Sequence, residues 1–392
     1  MKVAVVTEWV DPWRGGAETS TLQFMHHLQA AGIELHLFTR SRPSPAPGMF
    51  VHTVSGAAMS RVRRSVTFAH RVERLLKAER FDVVHAITPC RGVDIYQPRG
   101  GTIAETIERN LALRRRGPAR SLKKYAIHFN LKQRYLRAIE RKIFSDAQGP
   151  IVVAISDYVV RQLKRHYGVP DERIRKIFNG VDPPDTSTED RARDRAAIRR
   201  EFGFSDQQLV VLCVAHNFKL KGVRRWMEAM ALLVKQGVTD VRSLVVGKGD
   251  SQLWHRLAAR LGIARVLTFV GPSDRVRQIY HAGDILVHPT YYDPCSRVVL
   301  EAMVAGLPCI ATRWDGASEV IDPGRNGYIL DDPGDVTALA HYVARMRDAG
   351  HRRALSEAAR KVVDAVSMAR HTREVIELYE QIRRHREARR ST

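Results

Sequence analysis

Two successive series of short apolar runs, each run parted from the next by a stretch with helical spacing, constrain the fold of this 392-residue chain more than any other feature. The first series holds Val3–Thr7, Glu34–Phe38, Val51–Ser55, Val83–Ala86, Ile151–Ile155 and Ile174–Phe178. The second holds Val210–Val214, Ser243–Val246, Val266–Val270, Ile285–Val287 and Cys309–Ala311. Alternation of strand and helix of this kind predicts parallel sheets covered by helices. Between the series the composition turns polar and charged (PPDTSTEDRARDRAAIRR, 183–200), which puts a linker near Asp182–Asp190. The expected organisation is an α/β chain with a domain over 1–182, a second over 183–367, and a long polar helix over 368–392 that ends in RRHREARR.

Charge separates the halves. The formal charge is +22, and residues 1–180 carry 31 Lys/Arg against 15 Asp/Glu, whereas the remainder carry 33 against 27. The excess concentrates in RVRRSVTFAHRVERLLKAER (61–80) and in the segment Arg109–Lys142, with RRR at 114–116 and KK at 123–124. Such faces suit an anionic membrane surface or an acidic glycolipid, and also nucleic acid; of these the membrane or glycolipid is expected and nucleic acid is not. A solvated basic face is the plain alternative. No apolar run approaches the roughly 20 residues that span a bilayer, and MKVAVVTEWVDPW turns acidic too early for a signal peptide, so a cytoplasmic protein is expected, peripherally associated with the inner membrane. The four cysteines, Cys90, Cys213, Cys295 and Cys309, lack metal-ligand spacing, and neither a disulfide framework nor a metal site is expected.

Chemistry concentrates in Tyr291–Glu319, YYDPCSRVVLEAMVAGLPCIATRWDGASE. A buried-strand run ends at Pro289 and Pro294, and Val298, Val299, Leu300, Ala302, Met303 and Val304 then recur at helical spacing up to Gly306 and Pro308. The start of such a helix offers unpaired amides around Ser296, Arg297 and Val298, which favour a diphosphate. At about 1.5 Å per residue the offset from Asp293 to Glu301 spans about 12 Å, the scale that separates hexose from ribose in a sugar nucleotide. Each carboxylate can accept from a vicinal diol. The bland alternative makes Asp293 a turn former and Glu301 a helix-surface residue. HNFKLKG (216–222) follows the first strand of the second series, so Lys219 and Lys221 fall at the carboxyl end, where open α/β sheets bind ligands. Gly15 and Gly16 in RGGAE, and Gly247 in VVGKGD, mark glycine turns after strands. The loop 81–102 presents His85, expected inside, and Asp94, beside a possible acceptor pocket.

These motifs resemble the retaining GT-B glycosyltransferases of family 4. Asp293 and Glu301 look like the E-x7-E region, with aspartate at its first position; Lys221 matches the family lysine and His216 stands where an arginine is usual. The loop 81–102, the basic helices after it and NFKLKG are similar to the bacterial lipopolysaccharide-core glucosyltransferase branch, in which Asp94 matches an aspartate near the reacting centre. The resemblance implies two Rossmann-like domains with a cleft between them and a last helix crossing back to the first. It implies catalytic roles for Asp94, Lys221 and Asp293. It further implies a donor site of Gly15, Gly16, Lys219, Lys221, Gly247, Asp293, Ser296, Arg297, Val298 and Glu301, without cofactor or metal. The expected reaction moves a hexose from a UDP sugar to a hydroxyl of a glycan or glycolipid, with lipopolysaccharide core as the acceptor suggested by the branch. The competing reading is a non-catalytic basic protein that binds nucleic acid or membrane on the same scaffold. A nicotinamide oxidoreductase is set aside, because no G-x-G-x-x-G turn follows a strand.

Overall fold

The computed structural model describes residues 1–11, 15–41, 48–54, 61–113, 130–183, 186–249 and 252–391. RRR at 114–116, KK at 123–124 and Arg14 of RGGAE lie outside these residues. The chain divides into two compact units, Met1–Gly180 with Val366–Thr392, and Val181–Ala365.

The first unit holds a seven-stranded sheet of order β3-β2-β1-β4-β5-β6-β7. Its strands are β1 (Lys2–Val6), β2 (Glu34–Thr39), β3 (Met49–Thr53), β4 (Val83–Ala86), β5 (Ile95–Tyr96), β6 (Ile151–Ala154) and β7 (Ile174–Lys176), all paired in parallel. Strands buried on both faces need apolar side chains throughout, and Val3, Ala4, Val5 and Val6 are accordingly fully buried. The helix Gly16–Ala30 turns Phe24, Met25 and Leu28 into this core, and the final helix, Met368–Ser391, adds Met368, Val375, Leu378 and Tyr379. Each such apolar side chain contributes about 1.5–3 kcal/mol on burial. His85 is packed inside as expected, its Nδ1 2.6 Å from the Tyr379 hydroxyl. Ser156 caps the helix Asp157–Tyr167 by accepting from the Val159 amide at 3.1 Å, and left-handed Gly168 ends it.

The second unit holds six parallel strands in the order β10-β9-β8-β11-β12-β13. They are β8 (Leu209–Val214), β9 (Val241–Val246), β10 (Leu267–Gly271), β11 (Ile285–His288), β12 (Cys309–Thr312) and β13 (Gly327–Leu330). Every residue of β8, β11 and β12 is buried. Trp226, fully buried on the helix Val223–Lys235, keeps its indole N–H satisfied by Ser243 Oγ on β9 at 2.8 Å. The strand order reverses between β8 and β11, and in open parallel sheets ligands bind at the carboxyl ends of the strands at such a point. Two strands escape a reading of the sequence: β5 is two residues within an irregular loop, and β13 is four residues beginning with glycine.

Where β8 and β11 end, their loops touch through backbone. Gly222 has φ of +69°, and a Cβ placed on it would lie 2.0 Å from the Pro289 carbonyl oxygen. Gly237 shares the left-handed conformation at φ +79° but has open space around it. Gly222→Ala should therefore cost at least about 3 kcal/mol, from strain and clash together. Gly237→Ala should cost only about 1–2 kcal/mol. Urea unfolding of the two variants checks this, and equal losses would refute the close approach.

Candidate active site in the second unit

The turn after β8 is shaped by its own sequence. Asn217 Oδ1 accepts from the Leu220 amide at 3.2 Å, and the Lys221 amide donates to the Asn217 carbonyl at 2.9 Å. The Leu220 carbonyl in turn accepts from the Tyr291 amide at 2.9 Å and from Thr290 Oγ1 at 3.3 Å, which ties the turn to the loop after β11. This brings the Lys221 ammonium into a hydrogen-bonded ion pair with Asp293 Oδ2, with the Tyr292 carbonyl 3.3 Å from Nζ. Both side chains are 17% exposed, sheltered enough for the charges to act strongly yet open to a ligand.

Asp293 is held from several sides. Its amide donates to the Trp314 carbonyl at 2.9 Å, its carbonyl accepts from the Gly316 amide at 3.0 Å, and Oδ1 accepts from the Cys295 amide at 3.3 Å. Burial opposes its charge, but the Lys221 ammonium and then His288 outweigh burial and hold the carboxyl below the usual carboxylate range.

Beneath this pair lie two residues that the sequence reading did not single out. His288, the last residue of β11, is 1% exposed, and its Nε2 lies 3.8 Å from Oδ2 of both Asp293 and Asp315. Burial, aided by Lys221, lowers its affinity for a proton against the pull of Asp293. Asp315 is wholly buried just after β12, and its Oδ1 accepts from the Ser296 and Ala317 amides, both at 2.9 Å. Burial first, and then the neighbouring Asp293 carboxylate, push the Asp315 carboxyl well above the usual range. The Asp-Gly at 315–316 is a visible turn signal, yet nothing in the sequence tells that the carboxylate points inward to a helix start. His288, Asp293 and Asp315 bring three possible ligand atoms within 4.8 Å of one another, and the Lys221 ammonium already supplies a cation to one of them.

The helix carrying Glu301 runs Arg297–Val304, so helical rise covers only part of the interval from Asp293. Asp293 sits in the loop before the helix, as expected, bridged to Asp315, so the figure of about 12 Å obtained from helical rise alone does not describe the interval. Ser296 also departs from expectation, because its amide is engaged by Asp315 rather than open to a diphosphate. Arg297 and Val298 occupy the first turn, whose amides have no intrahelical acceptor. Glu301 is 28% exposed and is oriented by Arg297 at 2.7 Å on one oxygen and by the Tyr280 hydroxyl at 3.2 Å on the other. Buried Arg297 Nη1, His288 Nδ1 and Asp315 Oδ2 have no hydrogen-bond partner among the described residues, a concentration that marks a ligand site rather than a packed core.

Other expected residues fall as follows. Gly247, just past β9, donates to the Gly271 carbonyl at 2.8 Å, and any Cβ there would lie 1.9 Å from the Ala215 carbonyl oxygen after β8. Lys219 and His216 are exposed on the same turn as Lys221. Gly15 and Gly16 open the helix after β1 in the first unit. Asp94 is not at the carboxyl edge. It precedes β5, accepts from the Val84 amide at 2.7 Å and pairs with Arg386 of the last helix at 2.5 Å, on the amino-terminal edge of the sheet. Its geometry is that of a brace between sheet and helix, and it is left out of the site.

Asp315 gives the clearest stability prediction. Asp315→Ala leaves the buried Ser296 and Ala317 amides unpaired and should cost about 2–5 kcal/mol, whereas Asp315→Asn keeps an acceptor for both. Because the folded state binds the Asp315 proton more tightly than the unfolded chain, this group's contribution to stability declines as pH rises above about 4. The asparagine variant should gain on the wild type over that rise. Urea unfolding at about pH 5 and about pH 8 checks it, and a constant difference would refute it.

Residues 14–184 match the family described as Glycosyltransferase Family 4, and residues 194–362 match that described as Glycosyl transferases group 1. The chain is 24% identical over 320 residues to the lipopolysaccharide glucosyltransferase WaaG of Escherichia coli, covering 81% of this chain and 82% of that one. It is 34% identical to D-inositol 3-phosphate glycosyltransferase 2 of Catenulispora acidiphila over 216 residues, about half of each chain at 51% and 48%. The crystal structure of WaaG, a glycosyltransferase involved in lipopolysaccharide biosynthesis, superposes with a TM-score of 0.81 at 23% identity over 96% of this chain and 99% of that one. Anabaena HepE in complex with UDP-glucose gives 0.73 at 17% identity, over 97% and 100%. With a family match over each half and the architecture shared along nearly the whole length, the chain belongs to the GT-B glycosyltransferases of family 4.

Proposed function

We propose that this glycosyltransferase is a retaining hexosyltransferase that moves a hexose from a UDP sugar to a hydroxyl of a glycan or glycolipid, in the chemistry of lipopolysaccharide core. The observation that carries the reading is the Lys221–Asp293 pair at the switch point of the second sheet, with Glu301 held a few residues along by Arg297 and Tyr280. The UDP-glucose bound by Anabaena HepE supports the donor class, and the lipopolysaccharide role of WaaG supports the acceptor.

In this reading Glu301 accepts from the ribose diol, and Asp293 from hydroxyls of the transferred sugar. Lys221, aided by exposed Lys219 and the first-turn amides of Arg297 and Val298, takes the diphosphate, while Gly247 leaves room at the nucleotide end. The bond from the anomeric carbon to the β-phosphate oxygen breaks and a bond to the acceptor oxygen forms on the same face. The acceptor proton passes to the departing phosphate. Negative charge grows on that phosphate, so a fixed ammonium there stabilises the transition state more than the ground state, and no metal is needed. On binding, Lys221 exchanges part of its bond with Asp293 for phosphate, freeing that carboxylate for the sugar.

With UDP-glucose as donor, Glu301→Ala should raise the donor KM by about 10–100-fold, the worth of a charge-assisted hydrogen bond. Lys221→Ala should lower kcat by about 100–1,000-fold. Asp94→Asn should leave kcat within about 2-fold while lowering Tm, as a brace would. Initial rates on purified variants, with the anomeric configuration of the product read by NMR, check all of this; an inverted product or wild-type turnover by the Lys221 variant would overturn it.

The same proposal places the protein peripherally on the inner membrane. Leu75, 43% exposed, and Leu131, 66% exposed, lie on the basic helices Arg61–Ala78 and Leu131–Ser145, a composition suited to an anionic lipid surface. Among the described residues no helix is long and apolar enough to cross a membrane. Co-sedimentation with phosphatidylglycerol vesicles that weakens steeply with added salt is the expected result, and salt-insensitive or absent sedimentation would refute it.

A further inference from the structure

The second unit has a cavity of about 360 Å³ on the edge opposite Lys221. It is walled by the Gly283–Asp284 turn just before β11 and by Ala305–Leu307 just before β12, so it opens at the amino-terminal ends of the strands. Arg191, Arg195, Arg352, Arg353, Arg360 and Ser356 line it.

The charges around this cavity do not cancel. Arg195 is committed to Asp284 at 2.7 Å and to the carbonyls of Ala282 and Gly283 at 3.3 and 3.2 Å. The other Asp284 oxygen takes Arg199 at 2.6 Å and the Val210 amide at 2.7 Å, which saturates that carboxylate. Asp194 nearby is engaged by His281 at 2.9 Å. Arg191, Arg352, Arg353 and Arg360 have no carboxylate within 4.0 Å among the described residues. Arg191 Nε is buried without a hydrogen-bond partner. Arg360 is seated by a glycine: a Cβ on Gly306 would lie 2.4 Å from its Nε, and Ser356 Oγ fixes that turn by donating to the Gly306 carbonyl at 2.5 Å.

Four guanidiniums without a paired carboxylate surround one cavity, Arg352 among them held by the Met346 and Arg347 carbonyls at 2.7 and 3.0 Å, and their mutual repulsion is a cost that a bound polyanion removes. Guanidinium forks match phosphate oxygens two at a time, and the volume holds a phosphate with a small body such as a sugar. We propose that this cavity is a binding site for a phosphate-bearing ligand, separate from the site of Lys221, Asp293 and Glu301. The chemistry fits a free phosphorylated metabolite or a lipid phosphate headgroup.

The test uses the full chain carrying Lys221→Ala, so that binding of a diphosphate at the donor side is suppressed. Calorimetric titration with sodium pyrophosphate and with glucose 6-phosphate should show saturable binding, weakened at least about 10-fold by Arg353→Gln with Arg360→Gln. If that double variant fails to fold by circular dichroism, Arg191→Gln reads the same site. A parallel arm measures sedimentation with phosphatidic acid vesicles. Arginine-dependent binding of the soluble probes assigns a free metabolite, and arginine-dependent binding of vesicles alone assigns a headgroup. The proposal is overturned if neither the soluble probes nor the vesicles bind, or if binding is unchanged in the arginine variants.

Discussion

The second unit turns on a place where two backbones meet without a side chain between them. Gly222 lies against the Pro289 carbonyl, and the Leu220 carbonyl accepts from the Tyr291 amide, so the loop after β8 and the loop after β11 form one surface. Adjacent strands of a parallel sheet end side by side, and their loops diverge unless something holds them. Here glycine permits the approach and a backbone hydrogen bond fixes it. Only then does a lysine from one loop reach an aspartate from the other.

That junction sets an electrostatic problem whose solution is asymmetric. Two carboxylates lie close to one buried imidazole, with a single ammonium to serve them. Asp293 keeps its charge because Lys221 is in contact with it, whereas Asp315, deeper and without a cation, is driven towards its neutral form. One carboxylate therefore stays ionised where a sugar can reach it. The other acts as structure, holding the loop after β12 to the start of the Arg297–Val304 helix. The orphaned polar atoms of Arg297, His288 and Asp315 are the cost of keeping such a place ready for a ligand.

Sheet composition was highly legible, because strands buried on both faces must read as uninterrupted apolar runs. LVVLCV, IVVA and ILVH announce themselves, whereas the two-residue β5 and glycine-led β13 are too short to carry a period. Of the residues now proposed for the donor site, Lys221, Asp293 and Glu301 were visible through their place after strands and through motif resemblance. His288 and Asp315 were not, since one reads as the end of a strand and the other as an ordinary Asp-Gly turn. Asp94 shows the opposite failure: a carboxylate in an irregular loop looks chemical, but its partner, Arg386, lies 292 positions away.

The amino-acid sequence by itself determined two α/β units, their parallel sheets, and a glycosyltransferase of family 4, because those follow from local periodicity and from motifs contiguous in the chain. Tertiary structure alone decided which carboxylate is charged, which amide of the helix start is already taken, and which arginines stand without a carboxylate around the cavity at the opposite edge. Those outcomes depend on burial and on partners distant in sequence, and desolvation acts only once the chain has brought them together.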